Sequence, residues 1–278
     1  MKIKKLIRYS SVKDHFFSYL YSIIIAVPIL MPFFFTFISS FKKTSQIYKF
    51  PPEFIFKPTL ENYEYVLKTA NLIKNLANSA LIAVTSSLIT MTFAILAAYA
   101  ISRYKMRKIS AGILVARIIP STCFMIPLYF VFSRMGLLDT YTVMIIMHMM
   151  FSIPTTVYIC TNFIDDLPYE IEEAAFVDGA TKQHTFFKIV LPLCSPALIT
   201  SSTLSFLGSW NNFQLSLIFG QAKTKTLPVA LYGFMSSDAV RWGRLLAAAM
   251  IIMVPAILLT MVLQKYIISG LSAGSIKG

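Results

Sequence analysis

The chain has 278 residues, 56% of them hydrophobic and only 13% charged, with a net charge of +13. Soluble domains carry about a quarter charged residues, so this shortage excludes an ordinary water-soluble globule and leaves no stretch for a separate soluble domain. The surplus Lys and Arg collect at the ends of apolar runs, as helical membrane proteins require, and no basic helix or aromatic–basic module points to nucleic acid.

The predicted class is therefore an all-α polytopic membrane protein, and six apolar runs match a hydrocarbon core about 30 Å thick. The basic start MKIKKLIRYSSVKDHFF leads into a first span over 17–39. Its apolar run continues past any small-residue cleavage site, which predicts an uncleaved anchor. Pro28 and Pro32 are tolerable inside it, because neighbouring helices can satisfy freed backbone groups. Residues 40–75 read as a polar loop rich in Pro and Tyr, so 1–75 forms a first segment and 76–278 a second. The second span is predicted over 78–101 and is crowded with Ala, Ser and Thr, which let membrane helices approach closely. Arg103, Lys105, Arg107 and Lys108 follow with no acid among them.

The third span, 109–132, holds Arg117, Pro120 and Pro127, which predicts a broken or kinked helix. A fourth is expected over 142–163, a fifth over 195–219 and a sixth over 245–268, with a tail over 269–278. The N-terminus and the 103–108 turn are basic, which favours a cytoplasmic N-terminus. With six spans, the loop after the fourth span and the C-terminus then face the cytoplasm too.

Residues 165–192 form a polar hinge between two apolar runs. Asp165-Asp166-Leu167-Pro168 reads as a helix start, with Pro at the first helical position. Glu170, Glu172 and Glu173 fall in the first turns, where carboxylates complement the helix dipole. Ala174, Ala175, Phe176 and Val177 supply a short apolar surface, and Gly179 ends the helix because only Gly takes positive φ cheaply. Thr181 is placed to cap a second helix, TKQHTFFKIVL. The product is a helix–turn–helix knob with an acidic and apolar tip, suited to a basic or concave partner.

Arg117 lies inside a span and must face protein or water, either as a cavity or gate residue or by reaching toward the cytoplasmic end. Trp210, Asn211, Asn212 and Gln214 form a polar patch in the fifth span. Such amides glue helices together, and a path for sugar needs the same donors, acceptors and an aromatic face. His148, in MIIMHMM, and the three scattered cysteines read as packing residues with no metal site. No GxxxxGK[ST] loop is present, so ATP binding through a P-loop is not expected. The spans hold no Asp or Glu and no nucleophile–base pair, which argues against an intramembrane enzyme and against an ATP-independent transporter with acidic relay groups. No catalytic residue and no cofactor of its own are expected.

The spacing of Glu173-Ala174-Ala175, Gly179, Ile189 and Leu191-Pro192, written EAA-x3-G-x9-I-x-LP, resembles the cytoplasmic coupling loop of binding-protein-dependent ABC importer permeases. NSALIAVTSSL and AAYAISR in the second span, Pro127-Leu128, and the tail's Gly270-Leu271, Ala273-Gly274 and Lys277-Gly278 are similar to carbohydrate permeases of the MalG type. The resemblance runs from about Asn78 onward and implies a six-helix type I importer permease in a bacterial cytoplasmic membrane. It also implies pairing with a second permease of the MalF type, docking on a dimer of ATPase subunits that hold ATP and Mg, and delivery of sugar by an extracytoplasmic binding protein. By the same resemblance, Glu172, Glu173, Ala174, Ala175, Phe176, Asp178 and Gly179 would dock on the ATPase. Gly274 and Lys277 would touch it from the tail, while the side-chain chemistry described above makes Arg117, Trp210, Asn211, Asn212 and Gln214 the candidates to line the path. The tail reads SAGSIKG where such permeases are richer in alanine. The same fold carrying a non-sugar solute is the alternative.

Overall fold

The structure, a computed structural model, describes residues 12–69, 71–235 and 240–272. The principal helices are α1 (Val12–Ser40), α2 (Leu72–Arg103), α3 (Arg107–Ile118), α4 (Thr122–Arg134), α5 (Tyr141–Asp165), α6 (Glu170–Val177), α7 (Lys182–Leu193), α8 (Ser195–Trp210), α9 (Gln214–Phe219) and α10 (Trp242–Ser272). Runs in α1, α2, α5 and α10 are each long and apolar enough to cross a membrane. The pairs α3–α4 and α7–α8 are bent by 93° and 71°, and counting each as one span gives six.

The predicted break in the third span falls at Ile119–Ser121, around Pro120, where proline removes a helical donor. The fifth run departs from the expected single helix over 195–219. Helix α8 stops at Trp210, and α9 starts after a break at 211–213. Asparagine competes with the backbone for hydrogen bonds, and the Asn212 Oδ1 accepts the Leu215 N–H at 2.9 Å, capping α9.

The chain divides into two compact units, one within Met1–Val66 and Phe234–Met250, the other within Leu67–Gly233 and Ile251–Gly278. In the first, α1 exposes apolar side chains along its length, Ile23, Leu30 and Phe34 among them. Beyond it, the Asn62 amide donates to the Ser40 and Lys42 carbonyls at 3.0 and 2.8 Å. The Arg244 guanidinium lies over the Tyr65 ring at 3.3 Å. Gly243 is required beside Asn62, since a Cβ there would meet the amide oxygen at 2.6 Å.

The second unit is built on α2, α5 and α8, which pack along one another. One apolar cluster joins Ala94, Ala98 and Ile101 to Val157, Cys160, Ile164, Phe186 and Val190. A second, toward the other ends of α2 and α5, joins Ile82 to Met125, Val143, Met144, Met147, Leu215 and Phe219. Between them lie buried Ser86, Ser87, Thr90, Thr156, Ser201, Thr203 and Ser209. Their small side chains let the backbones approach, and several hydroxyls donate to carbonyls one turn back, such as Ser87 to Ala83 at 2.6 Å and Thr203 to Ile199 at 2.6 Å.

At the end of the unit away from the hinge, one carboxylate organises a loop. Asp139, in the left-handed region at φ 57°, accepts the backbone N–H groups of Gln221, Lys223 and Thr224 and the Thr224 hydroxyl at 2.8–3.0 Å. Asn78 holds the same loop from α2 through the Lys223 and Lys225 carbonyls, and the Tyr141 hydroxyl donates to the Asn78 side-chain oxygen.

Partial burial alone would raise the Asp139 pKa, but the backbone donors outweigh it and hold the carboxyl below its ordinary range. A depressed folded pKa contributes stability above the unfolded value that is lost as pH falls through the folded one. Asp139→Asn keeps the turn but removes charge and an acceptor. It is expected to cost about 1–2 kcal/mol, roughly 2–8 °C in the unfolding midpoint of purified protein at neutral pH. The gap to the parent protein should close as the pH is lowered through the carboxylate range, and a gap independent of pH would contradict the clamp.

Candidate functional site

The hinge is a pair of short helices joined at Gly179. Helix α5 continues through Asp165, so the hinge begins later than expected and Pro168 occupies the turn before α6 rather than its first helical position. The three glutamates fall in the first turn of α6, as expected. Gly179 takes φ +85°, its N–H donating to the Phe176 carbonyl at 3.0 Å, and the Ala180 N–H reaches the Ala175 carbonyl at 2.9 Å. This closes the helix through the left-handed conformation that Gly adopts without steric cost. Thr181 caps α7 as expected, its hydroxyl accepting the His184 N–H at 3.2 Å. Phe186–Val190 then widens into a π-type turn before the chain re-enters the apolar bundle.

The knob has two faces. Glu173, Ala174, Val177, Asp178 and Gly179 are exposed, with Val177 at 87%, while Phe176 is half-buried. Ala175, also expected on the docking face, instead packs inward at 6% exposure, because it lies three residues on from the buried Glu172, on the same side of the helix. An open cleft of about 490 Å³ lies below the turn, lined by Ala175, Asp178, Gly179, Thr181, His184 and Ile189.

Glu172 corrects the expectation that it belongs to the docking face, because it is only 1% exposed. Its Oε1 accepts from Arg103 Nε at 2.6 Å and its Oε2 from the Tyr99 hydroxyl at 2.7 Å. Helical period turns Glu172 away from Glu173 by about 100°, and the half-buried Arg103 guanidinium on α2 draws it in. Arg103 also lies over the Tyr169 ring at 5.6 Å, and Tyr99 packs on Phe186 at 4.8 Å. Breaking such a pair by removing one partner costs about 3–5 kcal/mol where it is buried. Arg103 was legible only as part of a basic run, and Tyr99 carried no signal of its own. Gly274 and Lys277 lie outside the described residues.

The five residues expected along a path divide. Trp210 is buried at 3%, its indole N–H donates to the Ile252 carbonyl at 3.2 Å, and its ring stacks on Phe206 at 5.6 Å. That face is already used within the chain. Asn212 caps α9, whereas Asn211 and Gln214 are exposed on either side of it. Arg117 is exposed at the elbow between α3 and α4, with its guanidinium over the Tyr158 ring at 4.6 Å. It lines an open cleft of about 470 Å³ with Ser121, Phe124, Phe151 and Thr155. His148 is buried, its Nδ1 2.7 Å from the Ser209 hydroxyl, and the described residues contain no group of three or more His, Cys, Asp and Glu able to hold a metal ion.

Residues 90–272 match the family described as "Binding-protein-dependent transport system inner membrane component". The chain is 31% identical to the trehalose/maltose transport system permease protein MalG of Thermococcus litoralis, over 92% of this chain and 95% of that protein. It is 34% identical to the melibiose/raffinose/stachyose import permease protein MelC of Bacillus subtilis, over 92% and 94%. Among solved structures, a chain of a bacterial ABC transporter involved in the import of the acidic polysaccharide alginate superimposes with a TM-score of 0.73 at 21% identity. That alignment covers 92% of this chain and 98% of the other.

The left-handed cap predicts a graded response at position 179. No atom lies within 4 Å of a Cβ built there, so the cost of a side chain is conformational, about 1–2 kcal/mol for an ordinary residue and less for Asn. Gly179→Val is expected to raise amide exchange across 176–184 several-fold, with Gly179→Asn between it and the parent. Equal exchange in all three would show that the cap does not hold the turn.

Proposed function

The chain belongs to the family of binding-protein-dependent transport system inner membrane components, and from that membership we propose that its cargo is a sugar or oligosaccharide. It is the multi-pass permease component of an ABC importer in the cytoplasmic membrane, working with a binding protein and with an ATPase that is a separate subunit. The carbohydrate cargo is supported by relatives named for trehalose, maltose, melibiose, raffinose and stachyose transport. A companion permease of the MalF type completes the path in this reading.

The observation that carries the coupling role is the α6 knob. Its exposed face presents Glu173, Ala174, Val177, Asp178 and Gly179 beside an open cleft. Two carboxylates around a small apolar surface suit a groove with basic walls, and short side chains let the partner approach the backbone. In our reading this face docks on the ATPase, so closure of the ATPase on ATP displaces α6. Gly274 and Lys277 are assigned to the same partner through the tail. The cargo path is assigned to Arg117, Asn211 and Gln214. Trp210 and Asn212 support it from behind, since the indole N–H and the Asn212 Oδ1 are already bonded within the chain.

The test is uptake of a panel of labelled sugars by cells lacking only this chain. One sugar should be lost, restored by the intact gene and not by Gly179→Asp, which adds charge and strain at the docking turn while leaving the spans intact. Unchanged uptake of every sugar with loss of another solute would retain the importer and discard the carbohydrate cargo. Full uptake through Gly179→Asp would discard the docking role.

A further inference from the structure

We infer that Glu172, Arg103 and Tyr99 form a strut that passes displacement of α6 into α2, and so into the helices that pack on α2. The inference rests on the reading that α6 docks on the ATPase. A short helix of eight residues on a membrane surface can tip or slide when it is pushed, without moving anything behind it. Work reaches the bundle only if the helix is tied to a long element in both position and rotation.

The Glu172 carboxylate supplies that tie. Its two oxygens are held by different donors, Arg103 Nε at 2.6 Å and the Tyr99 hydroxyl at 2.7 Å. Those donors stand four residues apart on one face of α2, about one helical turn. A single bond would act as a pivot, whereas two bonds along the axis of α2 resist rotation as well as translation. Charge-assisted bonds are shorter and about twice as strong as neutral ones, and burial of Glu172 at 1% exposure keeps water from exchanging into them.

Both legs of the knob grip the same turn. Tyr169, just before α6, carries Arg103 over its ring, and Phe186, on the return leg, packs against Tyr99. From there the load has a continuous route. Ser102, next to Arg103, donates to the Asp165 carboxylate at the end of α5, and α2 packs along α5 and α8. The charged pair thus stands where the docking knob meets the core. Glu172 and Arg103 are positioning residues, with no contact to cargo or nucleotide required.

The test uses the whole transporter in lipid nanodiscs, compared without nucleotide and after trapping with Mg-ATP and vanadate. Hydrogen exchange is read separately over α6 and over the last three turns of α2. In the parent complex, trapping should change exchange in both. Glu172→Gln should keep the response in α6 and shrink that in α2 at least fivefold. Exchanging the charges, Arg103→Glu with Glu172→Arg, should recover part of it. A merely structural pair would shift the resting exchange without severing one response from the other.

An α2 response of full size in Glu172→Gln would overturn the strut. No response at α6 in the parent complex would instead overturn the docking reading, a separate result. If Glu172→Gln fails to assemble, Tyr99→Phe, which removes one hydroxyl, decides. It should reduce the α2 response about twofold, and an undiminished response would overturn the inference.

Discussion

Backbone hydrogen bonding in a medium without water governs how this chain is built. In hydrocarbon, each unsatisfied N–H or C=O costs several kcal/mol, so long helices are the default and every interruption must be closed by the protein itself. The breaks obey this rule in different ways. Pro120 removes a donor at the α3–α4 elbow. Asn212 turns its amide onto the start of α9. Several small hydroxyls of α2, α5 and α8, those of Ser87, Thr156 and Thr203 among them, bond back into their own helices, so the core can be both polar and closely packed. Where water is available, at the knob, the chain makes its sharpest reversal, and there glycine and a threonine cap suffice.

Acidic residues are scarce, and Asp139, Asp165 and Glu172 are among those used as clamps in the described residues. Asp139 gathers a loop by accepting three backbone donors and a hydroxyl. Asp165 accepts from Ser102, tying α5 to α2. Glu172 ties the knob to α2. In each case the carboxylate meets donors from a distant part of the sequence, so one charge fixes the relative placement of two segments. Glu173 and Asp178 are the complement, exposed on the knob and available to a partner. Within the hinge, Glu172 is turned inward and holds the knob to α2, whereas Glu173 and Asp178 are turned outward.

Much of this was legible in the residue order. The spans, the broken third helix, the left-handed Gly179 and the Thr181 cap all follow from local chemistry, because hydropathy, proline and glycine act within a turn or two of where they stand. The EAA-x3-G-x9-I-x-LP spacing was legible through its likeness to a family, and the match over residues 90–272 bears out that family. What escaped was long-range. The expectation of one helix over 195–219 failed because hydropathy averaged over the Asn211-Asn212 break, and Trp210 was offered to the path because a tryptophan beside amides carries no mark of which way its ring faces.

The sequence by itself determined that this is a helical membrane protein with a polar hinge of defined spacing, since composition and period are properties of neighbours along the chain. Only the tertiary structure decided which face of that hinge is free. Glu172 and Glu173 are adjacent, identical in type and equally suited to docking, yet helical period turns one into the bundle, where Arg103 and Tyr99 hold it, and the other toward water. Those donors lie about seventy residues earlier, and no local pattern can specify which of two like side chains a packed neighbour will reach.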